Sequence, residues 1–242
     1  MRTASFSLSS LVIITCALHL NCGGAPPPAP AAPVSVVARQ AAPRVRVRQE
    51  FGSLDPEAMD RAFEARVPEM QQCMEPAFER LEVLAGKMSY ALRVREDGHA
   101  KYAYFTESTL GDREAEKCIL QLFMKSQWPA SMDGESVAKH SSVFDQDVGD
   151  RVEKWAPAKV QHVLRGTKRF SKCAQSGQGK WELTAYIAKD TSTGNGKLVS
   201  AGGAHSEPDG GESLDCLLGE LHDVKFPAPT ADFAKVTFSY PF

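Results

Sequence analysis

The chain has 242 residues, 43% of them hydrophobic and 24% charged, with a formal net charge of -2. That balance argues against a surface dedicated to nucleic acid, which usually needs a basic excess, and leaves room for a local basic patch. The length admits one large or two small domains.

Residues 1–21 hold one basic residue and then a run of apolar and small residues of signal-peptide length. The run is too short and too interrupted for a comfortable membrane span and reads as an export signal. Cys22 follows, with Gly-Gly and a Pro/Ala-rich stretch behind it. This resembles the start of a bacterial lipoprotein, a lipidated cysteine at the head of a tether over residues 22–52. His19, Leu20 and Asn21 are larger than the residues expected beside such a cysteine, and Cys16 is a second candidate. The plain alternative is an exported protein with an ordinary signal. The tether favours extended conformations and buries little. Its stretch RVRVR, residues 44–48, reads as solvated linker, with contact to anionic lipid or cell-wall polymer as the alternative.

Ordered structure is expected from residue 53. Asp55 can cap a helix that opens at Pro56. Met59, Phe63, Met70 and Phe78 form its apolar stripe, with a bend at Pro68. Met88, Tyr90, Leu92 and Val94 alternate with polar residues, as in a half-buried strand. Glu-Asp-Gly-His follows as a hairpin turn, with Gly98 free to take positive φ, and a return strand runs through Tyr104. Ala115, Cys118, Ile119, Leu122 and Phe123 share the face of a second helix, which Pro129 stops. Residues 136–144 read as a closing strand.

The second half repeats this order. Pro157 opens a helix with Val160, Val163 and Leu164 inward, followed by Phe170 and Cys173. Trp181, Leu183, Ala185 and Ile187 alternate as a strand, a Gly-rich turn follows, and Leu198 and Val199 begin the return. A helix from about Glu212 carries Leu214, Leu217, Leu218 and Leu221. Val236, Phe238 and Tyr240 mark the closing strand. The spacings hold in step: Pro56 to Pro157 and Met59 to Val160 are each 101, Cys73 to Cys173 is 100, and Cys118 to Cys216 and Trp128 to Phe226 are each 98. The expectation is a tandem duplication in the α+β class, with domains at 53–147 and 148–242. Each copy is helix–strand–strand–helix–strand with a three-stranded antiparallel sheet.

Each copy carries one cysteine late in its first helix and one early in its second, 45 and 43 residues apart. With both helices on one face of the sheet these come within reach, so the pairs Cys73–Cys118 and Cys173–Cys216 are expected. A loop of that length contributes about 4 kcal/mol in the chain-entropy model, useful to a domain with a small core. No Cys-x-x-Cys spacing supports zinc or a redox pair. His99, His140, His162, His205 and His222 are scattered and read as ordinary histidines. The stretches SGQGKW and TGNGKL lack a phosphate-loop frame. Asp209, Glu212 and Asp215 crowd a glycine-rich loop, where weak calcium binding or helix-dipole complementarity explains them equally. No cofactor, metal site or catalytic constellation is expected.

The run GKMSYALRVREDGHAKYAYFTES, then a helix and Trp-Pro-Ala, resembles the C-terminal domain of TonB-type energy transducers. The paired cysteines and the ending VTFSYPF are more similar to the AgmX/PglI type at the C-termini of myxobacterial gliding-motility proteins. The resemblance covers most of residues 55–242 as two copies. The second departs where DTSTGNGK replaces the short Asp-Gly turn, and the transmembrane anchor and long spacer of a force transducer are missing. What the resemblance implies is a periplasmic module, without enzymatic activity, whose sheet edge accepts a strand from an envelope protein or peptide. The candidate edges are the closing strands, residues 136–144 with Val137, Val143 and Phe144, and residues 236–242 with Val236, Phe238 and Tyr240. An exposed edge needs a partner or a guard, and the two copies pairing with each other is the alternative. On this reading the chain is an adaptor in a motility or transport assembly, held to a membrane by its lipid and binding no nucleic acid. The other reading is an enzyme or inhibitor acting on cell-wall material.

Overall fold

The computed structural model describes residues 52–144, 149–165, 170–173 and 179–241. The export signal, the candidate lipidation sites Cys16 and Cys22 and nearly all of the tether lie outside the described residues. The fold is of the α+β class.

Asp55 caps α1 (Pro56–Glu64): its Oδ1 accepts from the Glu57 and Ala58 amides at 3.0 and 3.3 Å. The nine-residue helix buries Met59 and Phe63. The chain then breaks at Ala65 and Arg66 and restarts as α2 (Val67–Leu81), with Pro68 in its first turn. A single helix bent at Pro68 was the expectation. Two helices form because proline is accommodated without penalty in a first turn, where its missing N–H has no intrahelical partner. α2 buries Met70, Met74, Ala77 and Leu81.

β1 (Gly86–Val94) and β2 (Ala100–Ser108) form the hairpin, turned by Gly98 at φ 76° with the Asp97 carboxylate accepting from the His99 amide. α3 (Arg113–Lys125) is capped by Asp112, whose Oδ1 accepts from the Ala115 amide at 3.0 Å. β3 (Ser136–Phe144) returns antiparallel to β1, so the three-stranded antiparallel sheet has the order β2-β1-β3. α2 and α3 pack together and are joined by Cys73–Cys118, with Cα atoms 5.5 Å apart.

The second half begins with a short 3-10 turn, Gly149–Arg151, and β4 (Val152–Lys154). Then come α4 (Pro157–Leu164), α5 (Phe170–Cys173), β5 (Trp181–Lys189), β6 (Gly196–His205), α6 (Gly211–Leu221) and β7 (Phe233–Tyr240). Cys173–Cys216 joins α5 to α6 at the same 5.5 Å Cα separation. β7, β5 and β6 repeat the antiparallel arrangement of β3, β1 and β2. β4 adds a fourth strand, parallel to β7, giving the order β4-β7-β5-β6.

Two apolar clusters result. One lies between sheet β2-β1-β3 and its helices, around Phe63, Met74, Tyr90, Phe123 and Trp128. The other lies between β5, β6, β7 and their helices, around Leu164, Phe170, Trp181, Leu217 and Phe238. The second sheet is buried on its other face as well. Tyr186 and Ala204, which face away from its own helices, belong to the first cluster. Residues 48–242 accordingly form one compact unit.

Polar contacts hold this second face. The Tyr186 hydroxyl donates to Ala85 O at 3.0 Å and accepts from Ala85 N at 3.3 Å, and Lys235 Nζ also donates to Ala85 O. Burial pushes the Tyr186 hydroxyl up to about 12 and Lys235 down to about 8. Ser200 Oγ lies within hydrogen-bond distance of Gly111 O and Asp112 Oδ2 (2.9 and 2.8 Å). Glu116, fully buried on α3, accepts from Ser108 Oγ at 2.6 Å and from the Gly203 amide of β6 at 2.9 Å. Close approach there requires glycine: a Cβ on Gly202 would stand 2.5 Å from Glu116 Oε1 and 2.7 Å from Asp112 N.

Candidate functional site

The outer side of β3 is the feature of the surface that most invites a partner. β3 is bonded to β1 alone, and among the described residues no strand flanks its other side. Its side chains alternate. Ser136, Ala138, His140, Ser142 and Phe144 turn toward the core, whereas Val137, Lys139, Ser141 and Val143 turn outward. Val137 and Val143 are 42% and 70% exposed, high for β-branched side chains. Lys139 between them is the kind of charge that keeps an edge from sticking indiscriminately.

The edge runs beside α1, and a groove of about 420 Å³ lies between them. It is lined by Leu54, Pro56, Met59, Asp60 and Phe63 on one side and by residues 136–139 on the other. Its floor is built of packed rings. Phe63 packs on Tyr90, Phe123 and Trp128, with ring centroids 5.2, 5.9 and 4.6 Å away, and stacks on His140 at 4.6 Å. The Trp128 indole donates to Phe123 O at 2.9 Å and carries the Arg66 guanidinium 4.5 Å over its ring. Tyr90, its hydroxyl 3.0 Å from Ser142 Oγ, is pushed up to about 12 by burial. The groove is therefore a concavity with an apolar floor, the Asp60 carboxylate on its helix side and Lys139 on its strand side. Asp60 is 66% exposed, and His140 Nδ1 lies 3.4 Å from it.

The equivalent position in the second half is already taken. β4 pairs parallel with β7 over Phe233–Lys235, and the Trp155 amide continues the ladder to Lys235 O at 2.9 Å. The corresponding residues of the first half do something else. Gly52 N donates to Glu135 O at 3.1 Å and Ser53 bridges Met132, so these two residues bind the loop before β3 and not the strand itself.

The six residues expected at partner-binding edges thus fall into unlike places. Val137 and Val143 point outward from an open edge, and Phe144 ends the same strand, half-buried. Val236 and Phe238 are buried in the second cluster, and Tyr240 packs at its margin, its ring 5.6 Å from Phe170 and 6.1 Å from Trp181. The expected alternative of the copies pairing through their closing strands is not what brings them together: β2, β6 and α3 make that contact. Sequence reading missed the α1 groove, because nothing in the spacing of Met59, Asp60 and Phe63 says that a strand edge passes beside them. Asp209 and Glu212 take no part in any cation cluster: among the described residues no group of three or more His, Cys, Asp or Glu is placed to hold a metal ion. Asp215 instead accepts from Arg113 and Lys117, both at 2.7 Å, which holds its carboxyl below its ordinary range against the opposing effect of burial. No helix of the described residues is long and apolar enough to cross a membrane. No family model matches the chain, and no curated protein or solved structure matches it significantly.

Proposed function

We propose that the protein is a non-enzymatic adaptor of the cell envelope. It captures an extended segment of another envelope protein by strand addition to β3. Lipidation at Cys22 would hold it at a membrane in the periplasm or on the outer membrane, with residues 22–52 as the tether. The sequence resemblance to the TonB C-terminal and AgmX/PglI domains supports this reading, as do the two disulfides, which suit an oxidising compartment.

One observation carries it: β7 is extended by β4 at the edge where, among the described residues, β3 has no second neighbour. The same architecture accepts an added strand once within the chain, so the open copy has the geometry to accept one from outside. Main-chain hydrogen bonds would supply much of the affinity and the groove would supply selectivity.

The test is a selection of extended peptides on the full oxidised chain, followed by amide hydrogen exchange. Protection of residues 136–144, abolished when alternate peptide amides are N-methylated, is the expected result. Protection elsewhere, or binding indifferent to N-methylation, refutes strand addition.

A further inference from the structure

We propose that the chain guards this edge itself: residues 44–51, RVRVRQEF, add to β3 as an antiparallel strand, which an incoming strand has to displace. This rests on the strand-addition reading above and adds the regulation of that site. The hydrogen bonds show which groups an added strand would meet. Lys87 O accepts from Thr109 N, so the odd-numbered residues of β1 bond toward β2. The even-numbered ones, Met88, Tyr90, Leu92 and Val94, then bond toward their β3 partners Ser142, His140, Ala138 and Ser136. That leaves the amides and carbonyls of Val137, Lys139, Ser141 and Val143 facing the other edge. Glu135 O faces the same way, and Gly52 N already takes it, at 3.1 Å.

The chain therefore reaches the start of β3 in ladder geometry. Its sense is set one residue later, where Ser53 and Met132 exchange both backbone bonds, at 2.8 and 2.9 Å, as an antiparallel bridge. Gly52 is seated so closely there that a Cβ would collide with Met132 O and Gly134 O. Followed backwards from Gly52 in that sense, the sequence runs along β3 from its first residue toward its last. Phe51 falls opposite Ser136 and Arg44 opposite Val143, and Pro43 falls where β3 ends, a position that needs no donor. The segment alternates as a strand does. In this register Phe51, Gln49, Val47 and Val45 share the side of Ser136, Ala138, His140 and Ser142, where α1 buries Met59 and Phe63. Arg48, Arg46 and Arg44 take the outer side. Arg48 then stands opposite Lys139, and this like-charge pair weakens the strand enough for another to replace it.

The experiment uses the full oxidised chain and three variants of it. Arg46→Pro removes the amide that would donate to Ser141 O. Val47→Pro removes one that would face away from β3, and Arg46→Ala removes the charge alone. In the free wild type the Val137, Lys139, Ser141 and Val143 amides are expected to exchange slowly at every protein concentration. Arg46→Pro should release them, whereas Val47→Pro and Arg46→Ala should not. A fluorescent synthetic copy of residues 44–51 should bind Arg46→Pro at least about tenfold more tightly than wild type, because a directly joined strand competes at millimolar effective concentration. Equal exchange of the β5 amides in all four chains checks that the fold is kept. Fast exchange at the β3 edge of the free wild type, with the synthetic peptide protecting it equally in every chain, overturns the guard and leaves strand addition standing. Fast exchange in every chain, with no protection by this peptide or by any selected one, overturns both. Protection that survives Arg46→Pro, or that rises with protein concentration, assigns the edge to other residues or to a second copy and overturns the proposal.

Discussion

Glu116 gives the sharpest test of the contact between the two sheets. Its carboxyl is fully buried, and burial pushes it up to about 7 against the opposing pull of Ser108, the Gly203 amide and Arg113, whose guanidinium is 3.7 Å away. Asp112 pushes the same way as burial. The other charges nearby are Arg80, bonded to Asp112 at 2.7 Å, and Asp215 with Lys117. A carboxyl whose folded pKa lies above its unfolded value favours the folded state most when protonated. Its contribution is complete below the unfolded value, is lost as pH rises through about 7, and is absent above. A displacement from 4.5 to about 7, at about 1.4 kcal/mol per pH unit, amounts to roughly 3 kcal/mol between pH 4 and pH 8. Glu116→Gln removes the titration and keeps the shape. Its carbonyl can accept from Gly203 N and its amide can donate to Ser108 Oγ. Urea unfolding of both proteins, followed by tryptophan fluorescence from pH 4 to 8, isolates the group as the difference between two curves. The wild type should lose about 3 kcal/mol relative to the variant across that window, most of it between pH 5 and 7. Two parallel curves would show that the carboxyl is solvated or that the sheets do not close over it.

Removing the first disulfide as Cys73→Ser with Cys118→Ser should cost about 4 kcal/mol, measured as a lower urea midpoint, because the bond closes a 45-residue loop. An unchanged midpoint would contradict the pairing. Gly202→Ala drives a methyl into Glu116 and the Asp112 amide, with an expected loss of about 1–3 kcal/mol by thermal unfolding. A neutral result would mean that β6 does not approach α3 so closely. Tyr186→Phe strips two hydrogen bonds from Ala85 and should cost about 1–3 kcal/mol, since the Ala85 groups are left without that partner. Faster exchange at the Ala85 amide checks the mechanism independently of stability.

The sequence alone determined the class of the fold, the order of helix, strand, strand, helix and strand in each half, and the cysteine pairing. These depend on local information. Met88, Tyr90, Leu92 and Val94 alternate because they face the core while Lys87, Ser89 and Arg93 on the other face keep some exposure, and an Asp-Gly turn returns the chain whatever surrounds it. The near-equal spacing of the cysteines in two similar halves, 45 and 43 residues, leaves little freedom in how they join. The division of the first helix at Ala65 was less legible, since Pro68 is compatible with a kink or with a fresh first turn, and only the packing of Met59 and Phe63 against the sheet chooses. Tertiary structure alone decided the rest. Residues such as Thr184 and Tyr186 sit at positions that alternation assigns to solvent, yet both are buried, because the second sheet is covered on two faces. Glu116 reads as one acid among several in the first turn of α3 and becomes a buried group only when β6 closes over it. The three residues of β4 carry too little pattern to be seen as a strand. Whether a closing strand is covered or open depends on where the chain before it happens to lie, a long-range pairing that no local periodicity encodes. That is why the open edge of β3, on which the functional reading depends, emerged from the fold.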